Sequence, residues 1–372
     1  MTLSQSSVAV NHSSSTSLES VCRKLRIHLK YTMAKKHNLQ NRRYIGSKFK
    51  LLDWIFENVQ ELTNGSSFFD VFAGTGIVAQ RFLSSHKRII LNDFLYSNEV
   101  IYQAFFNSNN VDFDRIEDFA SKFFAAAKSS RTQNYFDKNF GGKFFSKRDA
   151  RIIGFIRQSL DEALESEEIT KAEFNVLLAS LIYSADKISN TVGHYDAYIK
   201  SGKVRDRFEF LLIEKVDTSK NEIEIFRADA NLVASKISAD IAFLDPPYNS
   251  RQYSRFYHVL ENLAEWKKPM LFGVALKPEP QNVSDYSKTS APKAFADLVE
   301  KLNCRYLVVT YNNTFNPKSS SSRNKITLEE ITQILEKKGS TKVLSVGHKF
   351  FNSGKTEFDD HREYLFITKV ES

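Results

Sequence analysis

The segment FFDVFAGTG, Phe68–Gly76, decides the fold, because a short apolar run passes into a turn with two glycines and then into a helical pattern. The run Phe68–Phe72 predicts a buried strand, and apolar residues at helical spacing after Gly76 predict a helix. Glycine at such a turn lets the backbone approach a ligand closely. The segment lacks the full GxGxxG pattern and the lysine of a phosphate-binding loop, so a purely steric role for the glycines stays open.

Strand-like and helix-like segments alternate on both sides of this turn. Two capping boxes, Thr170 with Glu173 and Thr327 with Glu330, predict helix starts, and Lys337–Gly339 is expected to close the second helix. The alternation predicts an α/β fold with a largely parallel sheet covered by helices on both faces. The further predicted strands are Arg88–Leu91, Ile223–Phe226, Ile241–Leu244, Tyr306–Thr310 and Tyr364–Ile367.

The sequence Asp245-Pro246-Pro247-Tyr248 directly follows the apolar run Ile241–Leu244. The carboxyl ends of parallel strands are where α/β sheets bind ligands, and the two prolines end the strand and stiffen the turn. A carboxylate with neighbouring backbone carbonyls accepts both hydrogens of an exocyclic amino group, and Tyr248 offers a ring on which a base can stack. A surface turn with an incidental Asp-Pro-Pro is the alternative.

Two further segments carry polar residues at positions where ligands bind. Asp93 follows the strand Arg88–Leu91 and can accept hydrogen bonds from ribose hydroxyls, although a helix N-cap would use the same residue. Upstream, RRYIGSK (Arg42–Lys48) is a basic turn with a glycine before a helical pattern. Taken alone, this segment is typical of a solvated helix start.

Composition limits the class of protein. The chain has 372 residues, with 52 Lys and Arg against 44 Asp and Glu, which gives a net charge of +8 and permits a polyanionic partner. The two cysteines, Cys22 and Cys304, exclude a disulfide framework and a cysteine zinc cluster, which favours a reducing cytoplasm. No apolar run approaches the roughly 20 residues of a membrane span. Residues 1–33 predict a flexible extension, and Met33 offers an alternative start.

The alternation of strands and helices stops between residues 110 and 220, which predicts a mainly helical insertion. Basic residues amid aromatic ones suit contacts with phosphates and base edges, although an ordinary solvated subdomain would have the same composition. The aromatic residues are Phe144, Phe145, Tyr195 and Tyr198. The basic residues are Lys143, Lys147, Arg148, Arg151, Arg157, Lys200, Lys203, Arg205 and Arg207.

In this order, RYIGSK, FFDVFAGTG, LNDF and FLDPPYNSRQY resemble the Dam-like class of N6-adenine DNA methyltransferases, which use S-adenosylmethionine. The resemblance covers about residues 40–370, and NSRQYSRFYHVLEN is similar to methyltransferases of bacterial restriction–modification systems. Tyr44 stands where many relatives have Trp. The resemblance implies a seven-stranded, mostly parallel, Rossmann-like sheet. It also implies a catalytic domain formed by 34–109 and 221–372, with target recognition in the insertion 110–220.

The resemblance also implies roles for individual residues. Asp245, Pro246 and Tyr248 would act on an adenine flipped out of double-stranded DNA, and Tyr311–Asn313 would line the target pocket. The expected cofactor residues are Tyr44, Lys48, Asp70 near the methionine ammonium, Gly74, Asp93 at the ribose, Asp229 at the adenine amino group, and Asp245. The expected DNA contacts are Arg251, Tyr253, Lys143, Arg148, Lys203 and Arg205. His194 is expected to be structural or to contact DNA.

The implied activity is site-specific methyl transfer to adenine N6 by a cytoplasmic, bacterial, monomeric enzyme without a metal. A separately encoded restriction endonuclease would be its partner. The alternatives are an RNA adenine-N6 methyltransferase, which would usually lack so large an insertion, and a catalytically inactive DNA-binding protein on the same fold. Asp245 argues against protein glutamine methyltransferases, which have Asn at this position.

Overall fold

The computed structural model describes residues 36–61, 65–200, 203–248, 250, 252–280, 283–314, 323–347 and 361–371. The predicted extension 1–33, Met33 and Arg251 lie outside these residues. No helix in the described ranges is long and apolar enough to cross a membrane.

Seven strands form one sheet in the order β3-β2-β1-β4-β5-β7-β6. The pairs β1–β2, β2–β3, β1–β4 and β4–β5 are parallel, and β7 is antiparallel to both β5 and β6. The predicted seven-stranded, mostly parallel sheet is therefore confirmed. The strands are β1 (Ser67–Asp70), β2 (Arg88–Asp93), β3 (Glu222–Arg227), β4 (Ser238–Leu244), β5 (Asn303–Asn312), β6 (Gly339–Gly347) and β7 (Arg362–Val370).

Successive side chains of each buried strand point to opposite faces of the sheet. Both faces are therefore apolar, and helices cover both. On β1, Phe68 enters one hydrophobic cluster and Phe69 the other. The second cluster contains the apolar faces of α11 and α12, whereas the first extends into the helices of the segment 113–188. The helices are α1 (Leu52–Gln60), α2 (Ile77–Phe82), α3 (Tyr96–Phe106), α4 (Phe113–Ser129), α5 (Tyr135–Phe140), α6 (Lys147–Glu165), α7 (Lys171–Ile188), α8 (Ala230–Val233), α9 (Tyr253–Phe256), α10 (His258–Glu265), α11 (Ala291–Lys301) and α12 (Leu328–Glu336).

Both predicted capping boxes are present, at Thr170 before α7 and at Thr327 before α12. The prediction that Gly339 closes the last helix is wrong, since α12 ends at Glu336 and Gly339 opens β6. A Cβ at Gly339 would collide with the carbonyl oxygen of Lys369 on β7, so strand packing explains this glycine. The strand β6 itself has no predicted counterpart.

The strand order reverses between β1 and β4: from β1 the chain runs outward to β2 and β3, and then returns to β4 on the other side. Ligands bind outside the carboxyl ends of strands at such a reversal. The polar motifs of the sequence converge at this edge.

Candidate active site

A cleft lies at the carboxyl ends of β1, β2 and β4. All four sequence motifs contribute to its wall, although they are far apart in sequence. They supply Tyr44–Lys48, Asp70 with Phe72–Thr75, Asn92–Leu95, and Asp245 with Pro247. The cleft therefore brings together residues from four motifs, each of which the sequence could only indicate separately.

Asp245 is the centre of a buried polar cluster. Its Oδ1 lies 2.9 Å from Nζ of Lys48 and accepts a hydrogen bond of 3.0 Å from Oγ1 of Thr310 on β5. The hydroxyl of Tyr248 donates to the same oxygen. Asp245 thus stands directly after β4, held by one cation and two hydroxyls.

Lys48 is buried between two carboxylates, Asp245 and Glu363. Burial opposes its charge, but the two carboxylates outweigh this and raise the pKa of Lys48. Its amine also donates to the carbonyl oxygen of Gly46 at 3.3 Å. Lys48, predicted to bind the cofactor, therefore contacts the carboxylate of Asp245 in this structure.

No pattern in the sequence predicted that Glu363 would belong to this site. It lies at the start of β7, opposite Asn312 of β5, and reaches the site only because β7 runs antiparallel beside β5. Its side chain is buried, and its Oε2 has no hydrogen-bond partner among the described residues. Burial and then Asp245 raise the pKa of Glu363, with Lys48 opposing them.

Tyr248 folds back over Asp245. Its ring centroid lies 4.6 Å from that of Tyr311 and 4.9 Å from Nζ of Lys48, and its hydroxyl also lies 3.4 Å from the carbonyl oxygen of Thr310. Burial, followed by the charge of Asp245, raises the pKa of Tyr248 well above its usual value. The hydroxyl thus occupies one acceptor position on Oδ1 of Asp245.

Asp70 occupies the last position of β1, at the floor of the cleft. Its Oδ2 is buried and has no hydrogen-bond partner in the described part of the chain. Burial, and then the charge of Asp245, raises the pKa of Asp70 well above its usual value. A buried carboxylate oxygen without a partner is the group that a ligand ammonium would satisfy, so Asp70 fits the methionine end of S-adenosylmethionine.

The glycine turn is built against Asp93. The amide of Gly74 donates to Oδ2 of Asp93 at 2.9 Å, and the amide of Leu95 donates to Oδ1 at 2.9 Å. Gly74 has a φ of +53°, and a Cβ there would lie 3.2 Å from Cε1 of Tyr44. Asp93 therefore stiffens both loops of the cleft, and each of its oxygens retains a lone pair for a ligand hydroxyl.

Three tyrosines form the wall above this turn. The ring of Tyr44 is nearly parallel to that of Tyr257, with centroids 4.9 Å apart, and stacks on Tyr253 at 5.3 Å. The hydroxyl of Tyr253 donates to the carbonyl oxygen of Ile45 at 3.1 Å, and the amide of Ile45 donates to the hydroxyl of Tyr257 at 2.8 Å. Tyr253, predicted to contact DNA, lies in this wall and lines the cleft.

Asp229 is the N-cap of α8, where its Oδ1 accepts from the amide of Asn231 at 2.9 Å. Its neighbours Ala228 and Ala230 line the cleft, whereas Asp229 is absent from the lining. Among the predicted cofactor residues, Asp229 is therefore at the margin. Pro246 is buried behind Asp245.

The basic residues of the segment 110–220 divide into two groups. Arg148 is exposed and pairs with Asp206 at 3.6 Å, Lys203 and Arg205 are exposed, and Lys143 is half-buried. Arg157, in contrast, is buried and donates to the carbonyl oxygen of Leu263 at 2.8 Å, so its predicted phosphate contact is wrong.

The aromatic residues of this segment are also more buried than predicted. Phe144, Phe145 and Tyr195 have no exposed surface, because they belong to the hydrophobic core, and they cannot contact bases. His194 stacks on Phe256 with centroids 4.5 Å apart, which is a structural contact.

The sequence model for D12 class N6 adenine-specific DNA methyltransferases matches residues 44–343. Among curated proteins, the chain is 31% identical over 347 residues to type II methyltransferase M.FokI of Planomicrobium okeanokoites. The aligned region covers 87% of this chain and 52% of that protein. It is 32% identical to modification methylase LlaI of Lactococcus lactis subsp. lactis, over 73% of this chain and 46% of that protein. The chain thus spans about half the length of these relatives.

A shorter relative matches along almost its whole length. The chain is 30% identical over 343 residues to type II methyltransferase M.CviAII of Paramecium bursaria Chlorella virus 1. The aligned region covers 88% of this chain and 98% of that protein.

Within the described residues, no group of His, Cys, Asp and Glu is placed to hold a metal ion.

Proposed function

The chain belongs to the D12 class of N6-adenine-specific DNA methyltransferases, and we propose that it transfers a methyl group from S-adenosylmethionine to N6 of adenine at a specific site in double-stranded DNA. The proposal includes a role as the modification enzyme of a restriction–modification system. The names of its relatives, M.FokI and modification methylase LlaI, support that role.

The observation that carries the proposal is the position of Asp245. Its carboxylate stands at the end of β4 beside Asp70, in one cleft with the glycine turn and Tyr44. The two amino hydrogens of a flipped adenine would be accepted by Asp245 and by the carbonyl oxygen of Pro246. This arrangement turns the nitrogen lone pair away from both acceptors and toward the cofactor end of the cleft.

The chain would act by orientation and electrostatics. When bound, S-adenosylmethionine supplies a methyl group on a positively charged sulfur. The new bond between N6 and the methyl carbon would form as the carbon–sulfur bond breaks and the sulfur leaves as a neutral thioether. The carboxylate of Asp245 would stabilise the positive charge that develops on nitrogen, and one amino hydrogen would then pass as a proton to water.

Tyr248 would leave Asp245 when its ring stacks on the base, because its hydroxyl is held on Oδ1 in this structure. Breaking that hydrogen bond frees the ring to stack on the flipped adenine. Thr310 and Lys48 keep their contacts with Asp245, so the carboxylate stays in place while Tyr248 moves.

The cofactor would lie along the rest of the cleft. Asp70 would bind the methionine ammonium, Asp93 the ribose hydroxyls, and Asp229 the adenine amino group. The ring of Tyr44 would pack on the cofactor, Gly74 would allow close approach of the backbone, and Lys48 would face it from the Asp245 side.

The segment 110–220 would read the DNA as a target-recognition subdomain inserted between the catalytic parts 34–109 and 221–372. Its exposed cations, together with Arg251 after the Asp-Pro-Pro-Tyr motif, would contact phosphates. The segment contributes Lys143, Arg148, Lys203 and Arg205. We propose a monomer that acts in the bacterial cytoplasm alongside a separately encoded endonuclease.

The test is transfer of labelled methyl groups to DNA, with single-molecule sequencing of DNA from cells that express the protein. We expect one recurrent motif with N6-methyladenine, and no incorporation by Asp245→Ala. Asp245→Asn is the matched control, because it keeps the shape and removes the charge. Undiminished transfer by Asp245→Ala, or no methylated motif in the sequenced DNA, would overturn the proposal.

A further inference from the structure

The segment Lys267–Lys277, KKPMLFGVALK, follows α10 and has a basic–apolar–basic sequence. It folds into a tight reverse turn, since Phe272 and Lys277 exchange backbone hydrogen bonds of 2.7 and 3.0 Å. Gly273 adopts a φ of +68° within it. We call residues 269–278 the apolar turn.

The apolar turn has one anchored face and one exposed face. Leu271 and Leu276 pack against the hydrophobic core. Met270, just before Leu271, and Phe272 and Val274, between the two leucines, are 76%, 49% and 70% exposed. Three large apolar side chains exposed together on an ordered turn indicate a surface that binds a partner.

Contacts at its base hold the apolar turn in a fixed orientation. Arg255 donates to the carbonyl oxygen of Pro278 at 2.8 Å, and the hydroxyl of Tyr135 donates to that of Pro269 at 2.9 Å. A ring nitrogen of His258 lies 2.7 Å from the carbonyl oxygen of Ala275, and Lys277 forms an ion pair with Asp196. The exposed side chains are thus presented on a rigid support.

The two ends of the apolar turn lie near the cleft, because Pro269 and Pro278 line a neighbouring pocket together with Ser254, which also lines the cleft. Arg255 is next to Ser254, which lines that cleft, and Ser284 lines it where the chain returns. The side chain Nε2 of Gln252 donates to the carbonyl oxygen of Ser284 at 3.0 Å, which joins the two sides. A duplex that delivers a base to Asp245 would therefore lie close to the apolar turn.

Charge favours DNA over another protein as the partner. Lys267 and Lys268 are exposed on the approach to the turn, where Lys267 pairs with Glu265 at 3.3 Å and Lys268 donates to Gln158 at 3.0 Å. Apolar side chains that insert between base steps, flanked by cations on the phosphates, are a known way to distort a duplex. If a second copy of this chain bound here instead of DNA, these cations would face a protein of net charge +8.

We propose that the apolar turn is a wedge, in which Met270, Phe272 and Val274 enter the duplex beside the target adenine and stabilise its flipped-out state. Lys267 and Lys268 hold the flanking phosphates. This inference rests on the proposed function, since it concerns how DNA reaches Asp245.

The experiment compares the wild type with a triple variant, M270S/F272S/V274S, on two duplexes that contain the methylated motif. One duplex has the target adenine paired with thymine, and the other has it in a mismatch that lowers the cost of flipping. Val343→Ser, an exposed apolar residue on β6, is the matched control. Binding of S-adenosylmethionine checks that each variant is folded.

We expect the triple variant to lose tenfold or more of its single-turnover rate on the paired duplex, and to recover most of it on the mismatched duplex. Equal losses on both duplexes, or no loss on either, would overturn the wedge. A wild type that oligomerises through this turn, with a monomeric triple variant of full activity, would also overturn it. A wild type that methylates no DNA would instead overturn the proposed function.

Discussion

Nζ of Lys48 lies 2.9 Å from Oδ1 of Asp245, which links a residue before the first strand of the sheet to the motif after the fourth. Both side chains are shielded from water, and Lys48 almost completely. Removing one partner of a buried ion pair leaves an uncompensated charge, which costs about 3–5 kcal/mol.

Lys48→Met should therefore lower the free energy of unfolding by an amount close to that range, and should reduce methyl transfer. The double variant K48M/D245N should recover most of the lost stability and none of the activity. Urea unfolding of the single and double variants measures the coupling. Additive effects on stability would show that the two side chains do not interact.

Asp70→Asn should weaken cofactor binding and stabilise the free protein. The pKa of Asp70 is raised in the folded protein above its ordinary value of 3.8, so the protonated carboxyl group favours folding. This stabilisation is lost as the pH rises through the pKa that Asp70 has in the folded state. Ionisation of Asp70 is what a ligand ammonium requires, so wild-type affinity should increase with pH over the same interval. Calorimetric titration of S-adenosylmethionine at several pH values, together with thermal melts, checks both effects. A D70N variant with wild-type affinity would contradict the assignment.

Tyr248→Ala should slow transfer by about 5–150-fold, because base–aromatic stacking is worth about 1–3 kcal/mol. Tyr248→Phe should retain stacking and bind DNA at least as tightly as the wild type, since no hydroxyl has to leave Asp245. Single-turnover rates and DNA affinities of the two variants separate the ring from its hydroxyl. Equal losses in both variants would mean that the hydroxyl matters more than stacking.

Glu363→Gln should change how stability depends on pH. The pKa of Glu363 is raised by burial and by Asp245, against the opposing effect of Lys48, and Asn312 also faces its carboxyl group. The wild type therefore loses stability relative to the variant as the pH rises from the ordinary glutamate value of 4.5 through the folded pKa. Urea midpoints of both proteins over a pH series measure this difference. A constant difference would mean that Glu363 does not titrate in that interval.

The sequence was sufficient for the parts of the fold that depend on local signals. Apolar runs located β1 through β5 and β7, and the capping boxes at Thr170 and Thr327 located two helices. The strand β6 lacked such a signal, because it lies at an edge of the sheet and its apolar residues Val343, Leu344 and Val346 follow no regular alternation with polar ones.

The site was predictable only where a motif carries its own chemistry, as in the Asp245 and Gly74 segments. Glu363 joins the site through the antiparallel insertion of β7 between β5 and β6, which no local pattern encodes. Residue type also could not separate the exposed Arg148 from the buried Arg157, because both lie on α6 and only tertiary packing distinguishes them.

The stack of Tyr44 on Tyr257 has a consequence for synthesis of the chain on the ribosome. The hydroxyl of Tyr257 binds the amide of Ile45, which is 212 residues earlier in the sequence. A nascent chain that has emerged only as far as residue 220 already has the glycine turn, but it lacks the ring of Tyr257 that holds Tyr44 over that turn. Contacts of such long range form late and slow folding. The cleft proposed for the methyl donor is therefore completed only after Tyr257 has been synthesised, and the growing polypeptide has no assembled cleft before then.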